Sequence, residues 1–377
     1  MPTLSTESLT RSEVVLRRAH HVLTFVLHFY VHSLPAAPPS SEIHIPPSLS
    51  IPLLQVCADL ALPPVLTYSD NVLYNWDLSP PQSPFSSSIN PAHLHSQTTF
   101  TGTSDEEHFY LTSSRIELAG VSALSLLRAI QDEAFVGDLL SLRRILGYLA
   151  KLAVVIDAMT MILGDVRKGC DPTIFYQQIR PWFRGQSSKP WIFDGVETVG
   201  LTQPTNLSGP SAGQSSLIHV LDIFLGIDQF SHSHVVGGST ASSSSAHDSE
   251  KDPSFLERMQ SYMPRHHRAF LDHLKANPRP LRHIVMADNS TASIEEREIR
   301  EGIKKAYNAS VIAVKGFRDA HIRITTLYIV NQARRVHSRS QYEHEDNEAL
   351  IARGTGGTDL IPFLKGVRDK TTKAVLK

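Results

Sequence analysis

A single histidine inside a long predicted helix is the side chain in this sequence best suited to binding a metal. His321 lies in the segment Arg318-Asp319-Ala320-His321-Ile322-Arg323, within a helix whose apolar face includes Val314 and Leu327. Neutral imidazole is the commonest metal ligand among side chains, and this chain has 19 histidines. A lone helical histidine is more often a core or surface residue, so spacing alone leaves both readings open.

Two segments of small residues resemble parts of known sites without completing either pattern. Gly354-Thr355-Gly356-Gly357-Thr358 lacks the Lys-Ser/Thr ending of a P-loop and follows no predicted strand. Pro210-Ser211-Ala212-Gly213-Gln214-Ser215-Ser216 lacks the Gly-x-Ser-x-Gly pattern of a hydrolase nucleophile. We therefore interpret the first as the tip of a loop that closes over a pocket. The second is typical of a chain that passes close to a large flat group.

The composition excludes several classes of protein. The 377 residues include 36 basic and 37 acidic side chains, and a net charge of −1 argues against a nucleic-acid-binding protein. Only two cysteines, Cys57 and Cys170, exclude a disulfide scaffold and a site built from several cysteines. With 41% hydrophobic and 19% charged residues, the chain can form a sizeable core.

The amino-terminal apolar run over residues 22–31 imitates a signal peptide, but its flanks favour a packed helix. Glu7 and Glu13 place acid before it, His28 interrupts it, and it has about half of the ~20 residues that span a bilayer. At helical spacing one apolar stripe is predicted to be buried: Val14, Val15, Ala19, Val22, Leu23, Val26 and Tyr30. No other stretch is expected to reach membrane-spanning length, which predicts a cytoplasmic protein without a membrane partner.

Helical periodicity dominates the rest of the chain and predicts an all-α fold. Helices are predicted at residues 12–34, 114–132, 138–166, 213–228, 254–276 and 294–331. The helix at 138–166 is apolar on nearly every side, which predicts a place at the centre of a large helical domain.

Loop-like segments suggest how the chain is divided. The Ser/Pro-rich stretch at 79–104 is the predicted boundary between a small domain, 1–104, and a large one, 105–377. The low-complexity tract at 231–252 contains His232 and His234, which we interpret as part of a solvated spacer.

Four motifs follow one another along the chain: Leu62-Pro63-Pro64-Val65-Leu66-Thr67-Tyr68-Ser69-Asp70, Ser211-Ala212-Gly213-Gln214-Ser215-Ser216, Tyr262-Met263-Pro264-Arg265-His266-His267-Arg268 and Gly354-Thr355-Gly356-Gly357-Thr358-Asp359. In this order they together resemble the indoleamine 2,3-dioxygenase family, and the serine-rich insert is similar to fungal members. With the His321 helix, the resemblance extends from about residue 10 to the carboxyl terminus. The family's small domain usually has further helices before the one matched here, so we expect a shortened amino-terminal domain, either in the protein itself or because this sequence starts late.

The resemblance implies a two-domain, all-α enzyme that holds haem b, ferrous in its active form, between helices of the large domain. Members insert both atoms of O₂ across the C2–C3 bond of the indole ring of L-tryptophan. The product, N-formylkynurenine, begins the kynurenine route toward NAD. The resemblance also implies an external reductant and a monomer. A haem-binding relative with little or no turnover is the alternative, and a helical scaffold without cofactor is a third.

The resemblance assigns roles to individual residues. His321 matches the proximal iron ligand, and Arg318 with Asp222 matches an ion pair that holds the proximal helix in register. Arg180 matches the residue that binds the substrate carboxylate, because a planar guanidinium binds a carboxylate through two hydrogen bonds. Phe175 matches the ring packed on the indole. Thr355 matches the loop residue that helps to secure the amino acid.

The remaining matched positions form the substrate pocket and its mouth. They are Tyr68, Asn71, Val72, Phe109, Ser113, Tyr176, Phe183, Gly185, Ser211, Ala212 and Gly213. Ser113 stands where tryptophan-specific relatives carry histidine, so no distal base is expected; a hydroxyl is a poor base at neutral pH. Asn71 is polar where a less polar side chain is common, and Pro210 replaces a common glycine.

Overall fold

The structure, a computed structural model, is built almost entirely from helices, which confirms the all-α prediction. It describes residues 3–35, 38, 41–80, 89–186, 189–232, 255–277, 280–287, 292–339, 354 and 359–377. The α-helices are α1 Glu13–Ser33, α2 Pro47–Leu60, α3 Ser104–Val136, α4 Leu139–Gly164, α5 Val166–Gly169, α6 Pro172–Ile174, α7 Ser216–Phe224, α8 Phe255–Gln260, α9 Arg265–Ala276, α10 Pro280–Met286, α11 Ile294–Thr325, α12 Asn331–Arg339 and α13 Leu360–Lys373.

Short π-helical turns and strands connect these helices. The π-turns are Ser69–Leu73, Phe175–Ile179 and Thr326–Val330. The strands are β1 Ile43–Ile45, β2 Trp76–Leu78, β3 Leu94–Ser96 and β4 Trp191–Phe193. β1 pairs in parallel with β4, and β2 pairs antiparallel with β3.

Three long helices, α3, α4 and α11, form the framework of the fold, with α4 packed against the other two. Each begins at a polar side chain that accepts a hydrogen bond from the backbone of the first turn: Thr103 for α3, Asp138 for α4 and Ser293 for α11. Their inward faces, with α7, α9 and α10, form the largest apolar core of the molecule.

The predicted central position of α4 is wrong. Its buried face includes Leu149, Leu152 and Ile156, whereas Val154 is 68% exposed and Met161 is 74% exposed. Helices α3 and α11 cover only one side of α4, so apolar side chains on its other side remain exposed to solvent. The segment Leu139–Gly169 is also long and apolar enough, by length and composition, to cross a membrane. Our expectation that no such stretch existed is therefore corrected.

Helix α1 forms where predicted but buries a different face. Val14, Val15, Val22 and Val26 of the predicted stripe are exposed, and the buried side includes three histidines: His20, His21 and His28. Each of these rings is hydrogen-bonded inside the protein, so burial leaves no ring nitrogen without a partner. A pattern that counts only apolar residues does not detect such a face.

Other boundaries differ in detail. The predicted helix at 254–276 is divided by a turn that ends at Pro264, giving α8 and α9. The helix predicted at 294–331 runs as α11 to Thr325 and continues through a π-turn into α12.

The division into 1–104 and 105–377 stays a prediction. In the structure β1 and β4 come from opposite sides of that boundary. Phe25, Leu66 and Phe100 share one apolar cluster with Phe175 and Tyr328. The site described next is therefore built from both parts of the chain.

Candidate active site

A cavity of about 270 Å³ lies between α3, α7, α11 and the π-turns. It brings together most of the residues assigned by resemblance. Those on its wall are Tyr68, Asn71, Val72, Phe109, Ser113, Phe175, Phe183, Ser211, Ala212, Gly213, Asp222, Arg318 and His321. Because the lining is mainly apolar, the cavity suits a largely hydrophobic ligand.

Each of the three π-turns contributes to this wall. The first supplies Asn71 and Val72, the second Phe175, and the third Tyr328 and Ile329. Such turns are rare in proteins overall, but those that occur are often found at functional sites. We call residues 66–72 the Tyr68 wall and residues 175–183 the Phe183 wall.

Aromatic rings cover one side of the cavity. The ring of Phe109 lies 4.6 Å from that of Phe175 and 6.0 Å from that of Phe183, centroid to centroid. The Phe175 ring meets the Tyr328 ring edge-on at 5.6 Å. Such a surface can pack on an indole ring.

His321 has the properties of an available ligand. In the described part of the chain neither of its ring nitrogens has a hydrogen-bond partner, although the ring lines the cavity. Burial, with a smaller contribution from the Arg318 charge, lowers the pKa of His321 to about 4. The imidazole is therefore neutral at physiological pH, which is the form that binds metals.

The predicted ion pair is present one helical turn before His321. Arg318 donates from Nη2 to both carboxylate oxygens of Asp222, at 2.7 and 2.6 Å, and from Nη1 to Thr371 Oγ1. Its guanidinium thus ties α11 to α7 and to α13. These contacts fix the helix that carries His321.

The site fits haem better than a metal ion held by protein alone. Over the residues that the structure describes, no three His, Cys, Asp or Glu side chains are grouped to hold a metal ion. Haem brings four nitrogen ligands of its own and needs one from the protein. The unpartnered imidazole of His321 on an apolar cavity meets that requirement.

Glu117 is a wall residue that the sequence reasoning missed. Its Oε1 accepts hydrogen bonds from Tyr68 Oη at 2.9 Å and from Ser215 Oγ at 2.6 Å. Burial raises the pKa of this carboxyl. Glu117 follows Ser113 by four residues, so helical spacing alone places the two on one face of α3. The carboxyl joins the Tyr68 wall to the start of α7.

The turn Ser211–Gln214 runs along another side of the cavity. Gln214 Oε1 accepts a hydrogen bond from Tyr68 N at 2.7 Å, and its Nε2 donates to Gly209 O at 3.0 Å. A Cβ at Gly213 would lie 3.1 Å from Phe255. His219, also missed, lines the cavity; its Nε2 lies 2.9 Å from Gly213 O. Gly213 thus packs closely against a protein side chain, and the predicted approach of this turn to a large flat group stays a prediction.

Some predicted pocket residues are not on this wall, and we correct their placement. Arg180 is buried with its Cζ 5.5 Å from the centre of the Tyr176 ring, and burial lowers its pKa. Neither Arg180 nor Tyr176 lines the cavity. Gly185 is also absent from it; a Cβ there would lie 2.1 Å from Leu207 O, so this glycine allows two backbones to pass closely. Thr355 lies outside the described residues, as do His234 and most of the low-complexity tract.

Asn71 lies on the cavity wall as expected. Its Oδ1 is buried and accepts no hydrogen bond from the residues described here. A polar group therefore faces an apolar pocket at this position.

Comparison with known proteins gives matches that include the residues of this cavity. The family model described as indoleamine 2,3-dioxygenase matches residues 1–374. The chain is 33% identical to mouse indoleamine 2,3-dioxygenase 2, over 96% of this chain and 79% of the relative. It is 32% identical to indoleamine 2,3-dioxygenase from Saccharomyces cerevisiae, over 94% of this chain and 77% of the relative. It is 30% identical to 6-hydroxytryptophan 2,3-dioxygenase from Fusarium equiseti, over 100% of this chain and 85% of the relative.

These matches cover nearly the whole chain and include the cavity and its walls. The predicted resemblance is confirmed, and the named relatives are oxidoreductases. The chain belongs to the indoleamine 2,3-dioxygenase family.

Proposed function

We propose that this protein is a haem-dependent dioxygenase that inserts both atoms of O₂ across the C2–C3 bond of the indole ring of L-tryptophan, giving N-formylkynurenine. Family membership supports a dioxygenase that acts on an indole. The observation that carries the finer proposal is the neutral, unpartnered imidazole of His321 on a large apolar cavity, within the described residues.

His321 would hold haem b by binding its iron through the neutral imidazole. When bound in its ferrous form, haem supplies the site at which O₂ is activated. Arg318 and Asp222 keep His321 in place, because they fix α11 against α7. The protein therefore supplies a ligand whose orientation is set before the cofactor binds.

The chain's own contribution to the reaction is to position the indole and exclude water. Phe109, Phe175 and Phe183 provide an apolar surface for the ring. Holding two reactants in a productive arrangement accounts for a large part of many rate enhancements. Ser113 has no role as a base, because a hydroxyl does not take up a proton at neutral pH.

The amino acid end of the substrate requires polar partners. From the family match we propose that Arg180 binds the carboxylate, for which its guanidinium must turn from the Tyr176 ring toward the cavity, and that Thr355 helps to secure the amino acid. Arg180 directly follows the π-turn Phe175–Ile179, which supplies Phe175 to the cavity wall. We further propose that an external donor reduces the haem iron, that the protein is a monomer and that it is located in the cytoplasm.

A turnover assay tests it directly. Haem-loaded protein is supplied with ascorbate and a redox mediator, O₂ and L-tryptophan, and N-formylkynurenine is followed by absorbance and confirmed by mass. Product formation at millimolar or lower tryptophan supports the proposal. A normal ferrous haem spectrum with no product contradicts it and favours a non-catalytic haem-binding relative.

The ligand assignment has its own test. His321→Ala removes the imidazole and should change the ferrous spectrum and weaken haem binding. Tight haem binding with an unchanged spectrum would show that another residue is the ligand. Because one relative is named a 6-hydroxytryptophan 2,3-dioxygenase, the assay should include that substrate beside tryptophan.

A further inference from the structure

His28 of α1 is fully buried and uses both ring nitrogens. Its Nδ1–H donates to Trp182 O at 2.7 Å, and its Nε2 accepts a hydrogen bond from Leu66 N at 3.1 Å. A single imidazole therefore bridges two backbone segments that are more than one hundred residues apart in the chain.

These partners determine the protonation of the ring. A carbonyl oxygen only accepts and a backbone amide only donates, so Nδ1 carries the proton and Nε2 does not. Burial lowers the pKa of His28 to about 3, so the ring is neutral across the physiological range. The bridge therefore does not depend on pH near neutrality.

Neighbouring rings keep the imidazole in this orientation. The Trp191 ring meets it edge-on at 5.7 Å between centroids, and the rings of His32 and Phe100 lie 5.4 and 6.3 Å away. With packing on these sides and hydrogen bonds at both nitrogens, the ring has little freedom to rotate.

The two bridged segments belong to the Tyr68 wall and the Phe183 wall of the cavity. Leu66 begins the Tyr68 wall and lies two residues before Tyr68, which lines the cavity. Trp182 belongs to the Phe183 wall and directly precedes Phe183, which also lines it. His28 itself is not on the cavity wall.

None of the other histidines of α1, a helix that the structure describes in full, hydrogen-bonds to both walls. His20 and His21 bind Asp70 in the Tyr68 wall, at 2.8 and 2.7 Å. His32 binds Arg184 O, just beyond the Phe183 wall, at 2.9 Å. Among these residues His28 alone joins both walls.

We propose that His28 is a positioning residue that sets the separation of the Tyr68 wall and the Phe183 wall, and thereby the size of indole that the pocket accepts. The inference rests on the proposed function. It assigns control of the size of indole that the pocket accepts to a residue of α1 that does not touch the substrate.

The main test replaces His28 with leucine, which keeps an apolar side chain of moderate size and removes both hydrogen bonds. We expect the KM for tryptophan to rise about tenfold, while kcat and the ferrous haem spectrum change less than about twofold. We also expect the ratio of the KM for 6-hydroxytryptophan to the KM for tryptophan to fall, because separated walls admit the larger ring. General destabilisation would not shift this ratio.

A matched control and a milder variant sharpen the test. His32→Leu, one helical turn away, removes one hydrogen bond to Arg184 O and a ring contact with His28 but leaves both hydrogen bonds of His28 in place, so it should shift the KM and the ratio much less than His28→Leu does. His28→Asn keeps a donor near the Nδ1 position but leaves Leu66 N without its acceptor, so it should shift the ratio in the same direction. If His28→Leu does not fold, His28→Asn decides the question.

Specific outcomes overturn the inference. They are an unchanged KM and ratio in a folded His28 variant, or an equal change in His32→Leu. If the wild-type protein forms no product, the proposed function fails separately. The same comparison is then made with the dissociation constants of tryptophan and 6-hydroxytryptophan, measured by spectral titration of the ferric haem protein.

Discussion

Arg318 Nη2 lies 2.7 and 2.6 Å from the two carboxylate oxygens of Asp222, one helical turn before His321. The two side chains are only 10% and 14% exposed. An ion pair with this geometry connects α7 and α11 at the level of the candidate iron ligand. Its removal should affect both folding and the cofactor.

Asp222→Ala should lower the free energy of unfolding by about 3 kcal/mol, because it leaves the nearly buried Arg318 guanidinium without its carboxylate. Urea unfolding at fixed pH measures this. Glu295→Ala, which breaks the half-exposed pair with Arg143, should cost less than about 1 kcal/mol. Equal costs in the two variants would show that the buried pair does not fix α11.

His20→Gln should change how stability depends on pH. Burial alone would lower the pKa of His20, but the Asp70 carboxylate 2.8 Å away raises it well above 6.5. Both ring nitrogens face acceptors, Asp70 Oδ1 and Pro63 O, which agrees with a protonated ring.

A raised pKa contributes stability that is complete below pH 6.5 and is lost as pH rises through the folded-state value. The free energy of unfolding of the wild-type protein should therefore fall more steeply above pH 6.5 than that of His20→Gln. Urea titrations at pH 6, 7 and 8 measure the two slopes. Parallel slopes would contradict a charged His20.

Glu117→Gln should stabilise the protein increasingly as pH rises. Burial raises the pKa of Glu117 above 4.5, although Ser215 and Tyr68 donate hydrogen bonds to it. Ionisation of such a group is less favourable in the folded than in the unfolded protein, so it costs stability as pH passes from 4.5 through the raised value. Unfolding experiments at pH 5 and pH 8 should show a larger advantage for the amide at pH 8. If the difference in free energy of unfolding between the two proteins is the same at pH 5 and pH 8, the pKa of Glu117 is not raised by burial.

Gly209→Ala should destabilise the protein by about 3 kcal/mol or more, because a Cβ there would lie 1.9 Å from Phe183 O. The displaced backbone belongs to the Phe183 wall, so the KM for tryptophan should rise as well. Gly147→Ala is the matched control, since its Cβ would meet nothing within 4 Å on the exposed side of α4. That variant should gain about 0.5–1 kcal/mol in thermal or urea unfolding. A similar small effect at Gly209 would contradict the close approach.

Apolar periodicity predicted the helical class, and the family resemblance, which rests on local motifs, implied most of the residues on the cavity wall; both depend only on short segments. The apolar pattern missed the buried face of α1 because His20, His21 and His28 are satisfied by Asp70, Trp182 and Leu66, which are distant in the chain. Only the folded chain brings those partners together.

Glu117 and Arg180 show the same limit in different ways. The spacing from Ser113 places Glu117 on the right face, but its raised pKa depends on burial against Tyr68 and Ser215. The match to Arg180 rests on its position in the chain, and in the structure the guanidinium packs on Tyr176 and not on the cavity wall. Motif matching locates a residue in the sequence and does not give its side-chain direction.

The three π-turns around the cavity have a consequence for how this pocket can change. A π-turn closes one residue later than an α-turn, so each is equivalent to an α-helix with one residue inserted. Deleting one residue from Ser69–Leu73, Phe175–Ile179 or Thr326–Val330 would restore an α-turn and remove one side chain from the wider turn, while the residues that follow keep their places. A single-residue deletion at these turns would therefore change the cavity wall locally, whereas the same deletion within a regular α-helix rotates every following side chain by about 100° around the helix axis.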